Sequence, residues 1–240
     1  LASRWHVIAP DWRGFGRTHD RAQCYWFADY LADLDDLLSK YSPAEPVRLI
    51  GHSMGGNIGG LYAGAMPERV RAFVNVEGFG LHDTSPDEAP AHYREWLQRL
   101  REAPGFKHFG SMEALSRHIA SRSPRMSPAQ ARFVAEAWAI EEADGLTLRA
   151  DPAHKLPNAV LYRRAEAEAC WRSVTAPVML VAGADSAVFA AVGVNPSNGS
   201  LPLPFPDSRT HIIEGCGHMV HFDAPEPLAV SIEAFLHPTV

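Results

Sequence analysis

Val47-Arg48-Leu49-Ile50-Gly51-His52-Ser53-Met54-Gly55-Gly56 decides how this chain is read. A short apolar run enters a Gly-x-Ser-x-Gly pattern, and small residues follow from Gly56 to Ala65. That order predicts a strand, a tight turn and a helix, with Ser53 on the turn. The serine is expected in a strained backbone conformation that holds its Oγ clear of the main chain. Gly51 and Gly55 are expected to be glycines because side chains there would collide with the neighbouring strand and helix. The N–H of Met54, at the helix N-terminus, points toward the same space and is a candidate oxyanion donor.

Working outward, the spacing predicts strands at 5–9, 72–76, 177–182 and 210–214. Phe27, Leu31, Leu34 and Leu38 make an amphipathic helix over 25–41, and Leu228, Ile232, Phe235 and Leu236 the buried stripe of another over 225–236. Strand and helix alternate up to Glu77, which implies a parallel sheet with crossover helices. Between about 80 and 173 the alternation stops. Helices are expected there without intervening strands, near 91–102, from Ser111, from Ser127 and over 157–173. Ser127-Pro128-Ala129-Gln130 carries a cap serine, a proline at the first helical position and Gln three residues after the cap. The expected organisation is an α/β core over 1–79 and 174–240, with a helical cap over 80–173 inserted after the strand that ends at 77.

Composition narrows the function classes. The 240 residues are 46% hydrophobic and 21% charged, with a net charge of −6 and no basic stripe, which argues against a nucleic-acid partner. No run reaches the roughly 18 apolar residues of a membrane span, and no signal peptide is visible, so a cytoplasmic protein is expected. Cys24, Cys170 and Cys216 are few and far apart, which fits a reducing compartment better than a disulfide framework. His218 and His221 lack the neighbouring Glu of a zinc-protease pattern, and no metal site is expected.

Three motifs in order extend the match along nearly the whole chain: Asp11-x-Arg13-Gly14-x-Gly16-x-Thr18, Gly51-His52-Ser53-Met54-Gly55-Gly56, and Gly217-His218-x-x-His221-x-x-x-Pro225-Glu226. In these the chain resembles the α/β-hydrolase superfamily, and in its helical insert the lidded members, including serine hydrolase-like proteins. The resemblance implies an α/β fold with a mostly parallel central sheet and helices on both faces. It also implies a segment before Leu1, with a further strand between 5–9 and 47–50 and a loop supplying the second oxyanion donor.

A serine hydroxyl becomes a useful nucleophile only when a base takes its proton. His218, on a loop after a strand and a Gly-x-Gly turn, is the candidate base. The acid departs from the family pattern. The usual position, three residues after the glycine that ends strand 177–182, is Ser186, so Asp185, one residue early, is the expected carboxylate. Glu77, at the end of strand 72–76, is the alternative. His221 and His52 are expected to be structural, the latter facing away from the nucleophile. Asp11, Arg13, Gly14 and Gly16 read as scaffold. Trp96, Phe106, Phe109, Trp138 and Trp171 could line an acyl pocket, although helical spacing suits core as well. The expected function is cleavage of an ester or similar small apolar acyl substrate through an acyl-serine, with no metal or organic cofactor; a small-molecule substrate is the expected partner, with no nucleic acid and no membrane. A C–C bond hydrolase or cofactor-free haloperoxidase-like enzyme would use the same residues, and a non-catalytic ligand-binding member of the fold is the rival outside enzymes. Serine at 53 argues against haloalkane dehalogenase and epoxide hydrolase chemistry, which needs a carboxylate there.

Overall fold

The computed structural model describes residues 1–18, 22, 25–102, 104–194 and 199–237. In chain order its elements are α1 (Phe27–Tyr41), β1 (Val47–His52), α2 (Met54–Ala65), β2 (Val70–Val76), α3 (Ala89–Arg101), α4 (Met112–Arg122), α5 (Pro128–Trp138), β3 (Ala139–Glu142), β4 (Gly145–Leu148), α6 (Arg164–Arg172), β5 (Val178–Gly183), α7 (Val188–Val192), β6 (Ser208–Ile213), α8 (Val220–Asp223) and α9 (Pro225–Leu236). The chain forms two compact units. The first comprises Leu1–Val7, Tyr30–Ser85 and Tyr162–Val240, and the second Ile8–Asp29 and Pro86–Leu161.

The first unit is built on a four-stranded sheet in the order β1-β2-β5-β6, with every neighbouring pair parallel. The two-residue alternation of a strand sorts its side chains onto two faces. Ala72, Val74 and Val76 of β2, with Met179 and Val181 of β5, pack on Leu228, Ile232 and Leu236 of α9. The intervening Phe73 and Asn75 face α2, where a Cβ on Gly59 would press the Phe73 ring at 2.6 Å. Five glycines in α2 weaken it by roughly 1 kcal/mol each relative to alanine. Close packing offsets that cost: a side chain on Gly64 would overlap the Cys170 carbonyl of α6, and one on Gly60 would meet the Trp171 indole nitrogen at 2.9 Å. Trp171 itself is 1% exposed and stacks on Phe205 with ring centroids 5.5 Å apart, so it is a core residue and not part of a pocket lining.

Residues 5–9, expected as a strand, take no part in the sheet. β1 is the edge strand, and Val7 and Ile50 are about half exposed, at 50% and 46%. A strand is defined by the partner it bonds, and the apolar run at 6–9 has none among the described residues.

The second unit holds α3, α4, α5 and the antiparallel hairpin β3-β4. The hairpin corrects the expectation of helices alone. Ala143 and Asp144 make the tight reversal between its strands, and Gly145, which opens β4, takes a positive φ of 118°. Ser127 caps α5 with the full reciprocal box through Gln130, and Ser111 caps α4 by accepting from Ala114 N–H. The unit also takes in Ile8–Asp29, which the sequence reading assigned to the core. Gly16 N–H donates to Arg149 C=O (2.9 Å) and Asp151 N–H to Gly14 C=O (2.7 Å), joining the Asp11–Thr18 loop to residues 149–151. Asp11 acts within that loop, accepting from Arg17 N–H at 3.0 Å. Arg13 pairs with Asp29 at 3.6 Å. α6 begins at Arg164, later than the helix expected from 157. Cys170 and Cys216 are free thiols, and Cys24 lies outside the described residues. None of the described helices is long and apolar enough to cross a membrane.

Candidate active site

Because β1, β2, β5 and β6 run parallel, their carboxyl ends lie on one edge of the sheet, and the segments that follow them converge there. Ser53 follows β1, Glu77 follows β2, Ala184–Ser186 follow β5, and His218 follows β6.

Ser53 has φ 52° and ψ −115°, a conformation L-residues rarely adopt. Its N–H donates to Val76 C=O (2.8 Å), and its side chain makes no capping bond to α2, so the hydroxyl is left for other work. Helical hydrogen bonding begins with Asn57 N–H to Ser53 C=O (3.0 Å). The N–H groups of Met54 and Gly55 therefore have no acceptor within the helix and carry its positive dipole end. Gly51 is required sterically, since a Cβ there would overlap the Gly55 carbonyl. Gly55 is not: a Cβ there would meet nothing within 4 Å, which corrects the sequence expectation. The second steric glycine is Gly56, whose Cβ would run into Asn75 Oδ1.

His218 Nε2 lies 3.0 Å from Ser53 Oγ, and its Nδ1 lies 3.1 Å from Glu77 Oε2. A carboxylate only accepts, so Nδ1 carries the proton and Nε2 is left to accept from the serine hydroxyl. Ser53 Oγ, the His218 ring and the Glu77 carboxylate thus lie in line.

The carboxylate that meets His218 is that of Glu77, not of Asp185. The turn after β5 has no slack to bring Asp185 inward. Ala184 N–H donates to Ile213 C=O (2.9 Å), Asp185 N–H to Cys216 C=O (3.0 Å) and Ser186 N–H to Gly183 C=O (3.1 Å). With those bonds made, Asp185 is exposed and Ser186 is buried. Ser186 Oγ donates to Glu77 Oε2 (2.5 Å), and Gly183 N–H donates to Oε1 (2.7 Å). Glu77, 2% exposed, has both oxygens engaged, as a buried carboxylate must.

Glu77 is itself strained, at φ 60°, a conformation that costs on the order of 1–3 kcal/mol for a non-glycine residue. Asn75 holds the turn in place. Its Nδ2 donates to Gly78 C=O (2.7 Å), its Oδ1 accepts from Gly78 N–H (2.9 Å), and Glu77 N–H donates to Val181 C=O (2.9 Å). Sequence reasoning missed Asn75, and it noted Ser186 only as an unsuitable acid, without its bond to Glu77. An asparagine in an otherwise apolar strand, Ala72-Phe73-Val74-Asn75-Val76, was the available signal, because a fully buried amide needs partners nearby.

The loop carrying His218 is fixed on several sides. Asp223 Oδ2 accepts from Gly217 N–H (2.9 Å), and a Cβ on Gly183 would overlap the Cys216 and Gly217 carbonyls. His52 Nε2–H donates to the His218 carbonyl (2.8 Å). Burial pushes the His52 imidazole down to about 4 and lowers that of His221 as well. The His52 and His221 rings lie edge to face, 4.5 Å between centroids. His52 is thus a hydrogen-bonding residue, one of the two structural roles the sequence allowed it, and its partner is the loop that carries His218.

Residues 1–225 match the profile of the family described as alpha/beta hydrolase fold. Over 238 residues the chain is 26% identical to the 2-(acetamidomethylene)succinate hydrolase of Mesorhizobium japonicum, covering 98% of this chain and 80% of that one. It is 24% identical to the serine hydrolase-like protein of Danio rerio, covering 99% of this chain and 75% of the relative. Among solved structures, a hypothetical protein of Pseudomonas aeruginosa PAO1 superposes with a TM-score of 0.81 at 27% identity, over 94% of this chain and 80% of the other.

Proposed function

Because the chain belongs to the α/β-hydrolase family, we propose that it is a serine hydrolase cleaving an ester or similar small apolar acyl compound through an acyl-serine. The observation that carries this reading is the line Ser53 Oγ, His218, Glu77, with contacts of 3.0 and 3.1 Å. His218 Nε2 takes the hydroxyl proton as Ser53 attacks the carbonyl, and Glu77 steadies the imidazolium that forms. The developing oxyanion accepts from Met54 N–H at the start of α2. Such a donor typically contributes about 10²–10³ in rate. His218 returns its proton to the leaving group, then activates the water that cleaves the acyl-serine. None of these steps calls on a metal or organic cofactor.

A fluorophosphonate probe tests the nucleophile directly. Wild-type protein should label, and Ser53→Ala should not. A panel of p-nitrophenyl esters then tests the ester reading, with 2-(acetamidomethylene)succinate included because a relative is named for it. An unlabelled wild-type protein would favour a ligand-binding member instead. Labelling with no ester turnover would move the reading toward the acyl compounds cleaved at other bonds.

A further inference from the structure

The residue just before the nucleophile does more than fill space. His52 closes β1, paired in register with Val76, and one peptide bond separates it from Ser53. Its Nε2–H donates to the backbone carbonyl of His218 at 2.8 Å. A carbonyl oxygen offers no proton, so this contact requires the tautomer with hydrogen on Nε2. The ring lies beside that of His218, 4.8 Å between centroids, and against that of His221 on another side.

Two bonds consequently join the same pair of residue neighbours. Ser53 Oγ meets the His218 ring, and the His52 ring meets the His218 backbone, closing a small circuit through the 52–53 peptide. The Asp223 bond to Gly217 N–H ties the base loop only to the helix downstream of it. The His52 bond ties that loop to the strand that bears the nucleophile. Any displacement of the loop relative to β1 must break or stretch it.

We infer that His52 is a positioning residue, a strut that sets the separation of Ser53 Oγ and His218 Nε2 by holding the base's own backbone. The inference rests on the reading of Ser53 and His218 as nucleophile and base. A displacement of about 1 Å in such a pair costs on the order of 10²-fold in rate, far more than one hydrogen bond contributes to folding.

The test compares His52→Phe, which fills the space without a donor, with His52→Gln, whose amide nitrogen stands about as far from Cβ as Nε2 does. The readouts are the fluorophosphonate labelling rate and, on a p-nitrophenyl ester, kcat and KM separately. His52→Phe should label and turn over roughly 10–100-fold more slowly with KM changed less than about threefold, and His52→Gln should recover to within about threefold of wild type. His52→Phe as fast as wild type overturns the strut, and so does His52→Gln as slow as His52→Phe. If His52→Phe does not fold, His52→Leu takes its place under the same criteria. Failure of the underlying reading looks different: wild-type protein would then resist the probe, or Ser53→Ala would still label.

Discussion

Glu77→Gln is the sharpest test of the site, because the hydrogen-bond pattern around the carboxylate dictates what an amide must do there. Oε1 accepts from Gly183 N–H at 2.7 Å, a backbone donor with no freedom to turn away. The glutamine oxygen must take that position, for the opposite orientation would aim an N–H₂ at an N–H and bury an unmet donor at about 1–3 kcal/mol. The amide nitrogen then occupies the place of Oε2, facing Ser186 Oγ and His218 Nδ1. The serine hydroxyl can rotate and accept. His218 can accept only by giving up the proton on Nδ1 and carrying it on Nε2, where it points at Ser53 Oγ. The base is then blocked by its own hydrogen, the tautomer error that costs a Ser-His-Asp triad about 10⁴ in kcat. The expected loss in Glu77→Gln is thus about 10⁴-fold in kcat, or about 5 kcal/mol of transition-state stabilisation. Exposed Asp185 provides the internal control: Asp185→Asn should change kcat by no more than about twofold. The assay is steady-state hydrolysis of a p-nitrophenyl ester, with thermal unfolding alongside to show that both variants fold. Retention of more than about a tenth of wild-type kcat by Glu77→Gln, or a large loss in Asp185→Asn, would refute the reasoning.

Other consequences reach beyond the chemistry. Gly51→Ala should destabilise strongly, because its Cβ would overlap the Gly55 carbonyl, whereas Gly55→Ala should unfold at the same temperature or higher, gaining up to about 1 kcal/mol of helix propensity. Equal midpoints for the two variants would contradict the packing described around the elbow. His52 also makes stability depend on pH. Its imidazole titrates near 6.5 when unfolded and is pushed down to about 4 by burial in the fold, so between those values the unfolded chain binds more protons. Stability is therefore lost as pH falls from about 6.5 toward 4, by up to about 3 kcal/mol from this group. Thermal midpoints measured across that window should drop more steeply in wild type than in His52→Gln, and identical slopes would exclude His52 as a source.

Much of this molecule was legible in its residues. The elbow could be read because Gly51, Ser53 and the small residues of α2 answer a local demand, a strained turn followed by a helix packed close to its neighbours. His218 was legible because a Gly-x-Gly turn after the last strand leads to the sheet edge where Ser53 stands. Helix starts at Ser111 and Ser127 were legible because capping is settled within one turn. What distinguishes Asp185 from Glu77 is not local. It depends on which N–H groups of the turn after β5 bond to Ile213 and Cys216, on Ser186 facing inward as a result, and on Asn75 clamping Gly78 so that Glu77 can hold a positive φ. The fate of residues 5–9 and the dispensability of Gly55 have the same origin. Each turns on which chain segment lies alongside, and a hydrogen bond or steric overlap between residues distant in sequence exists only once the fold has brought them together.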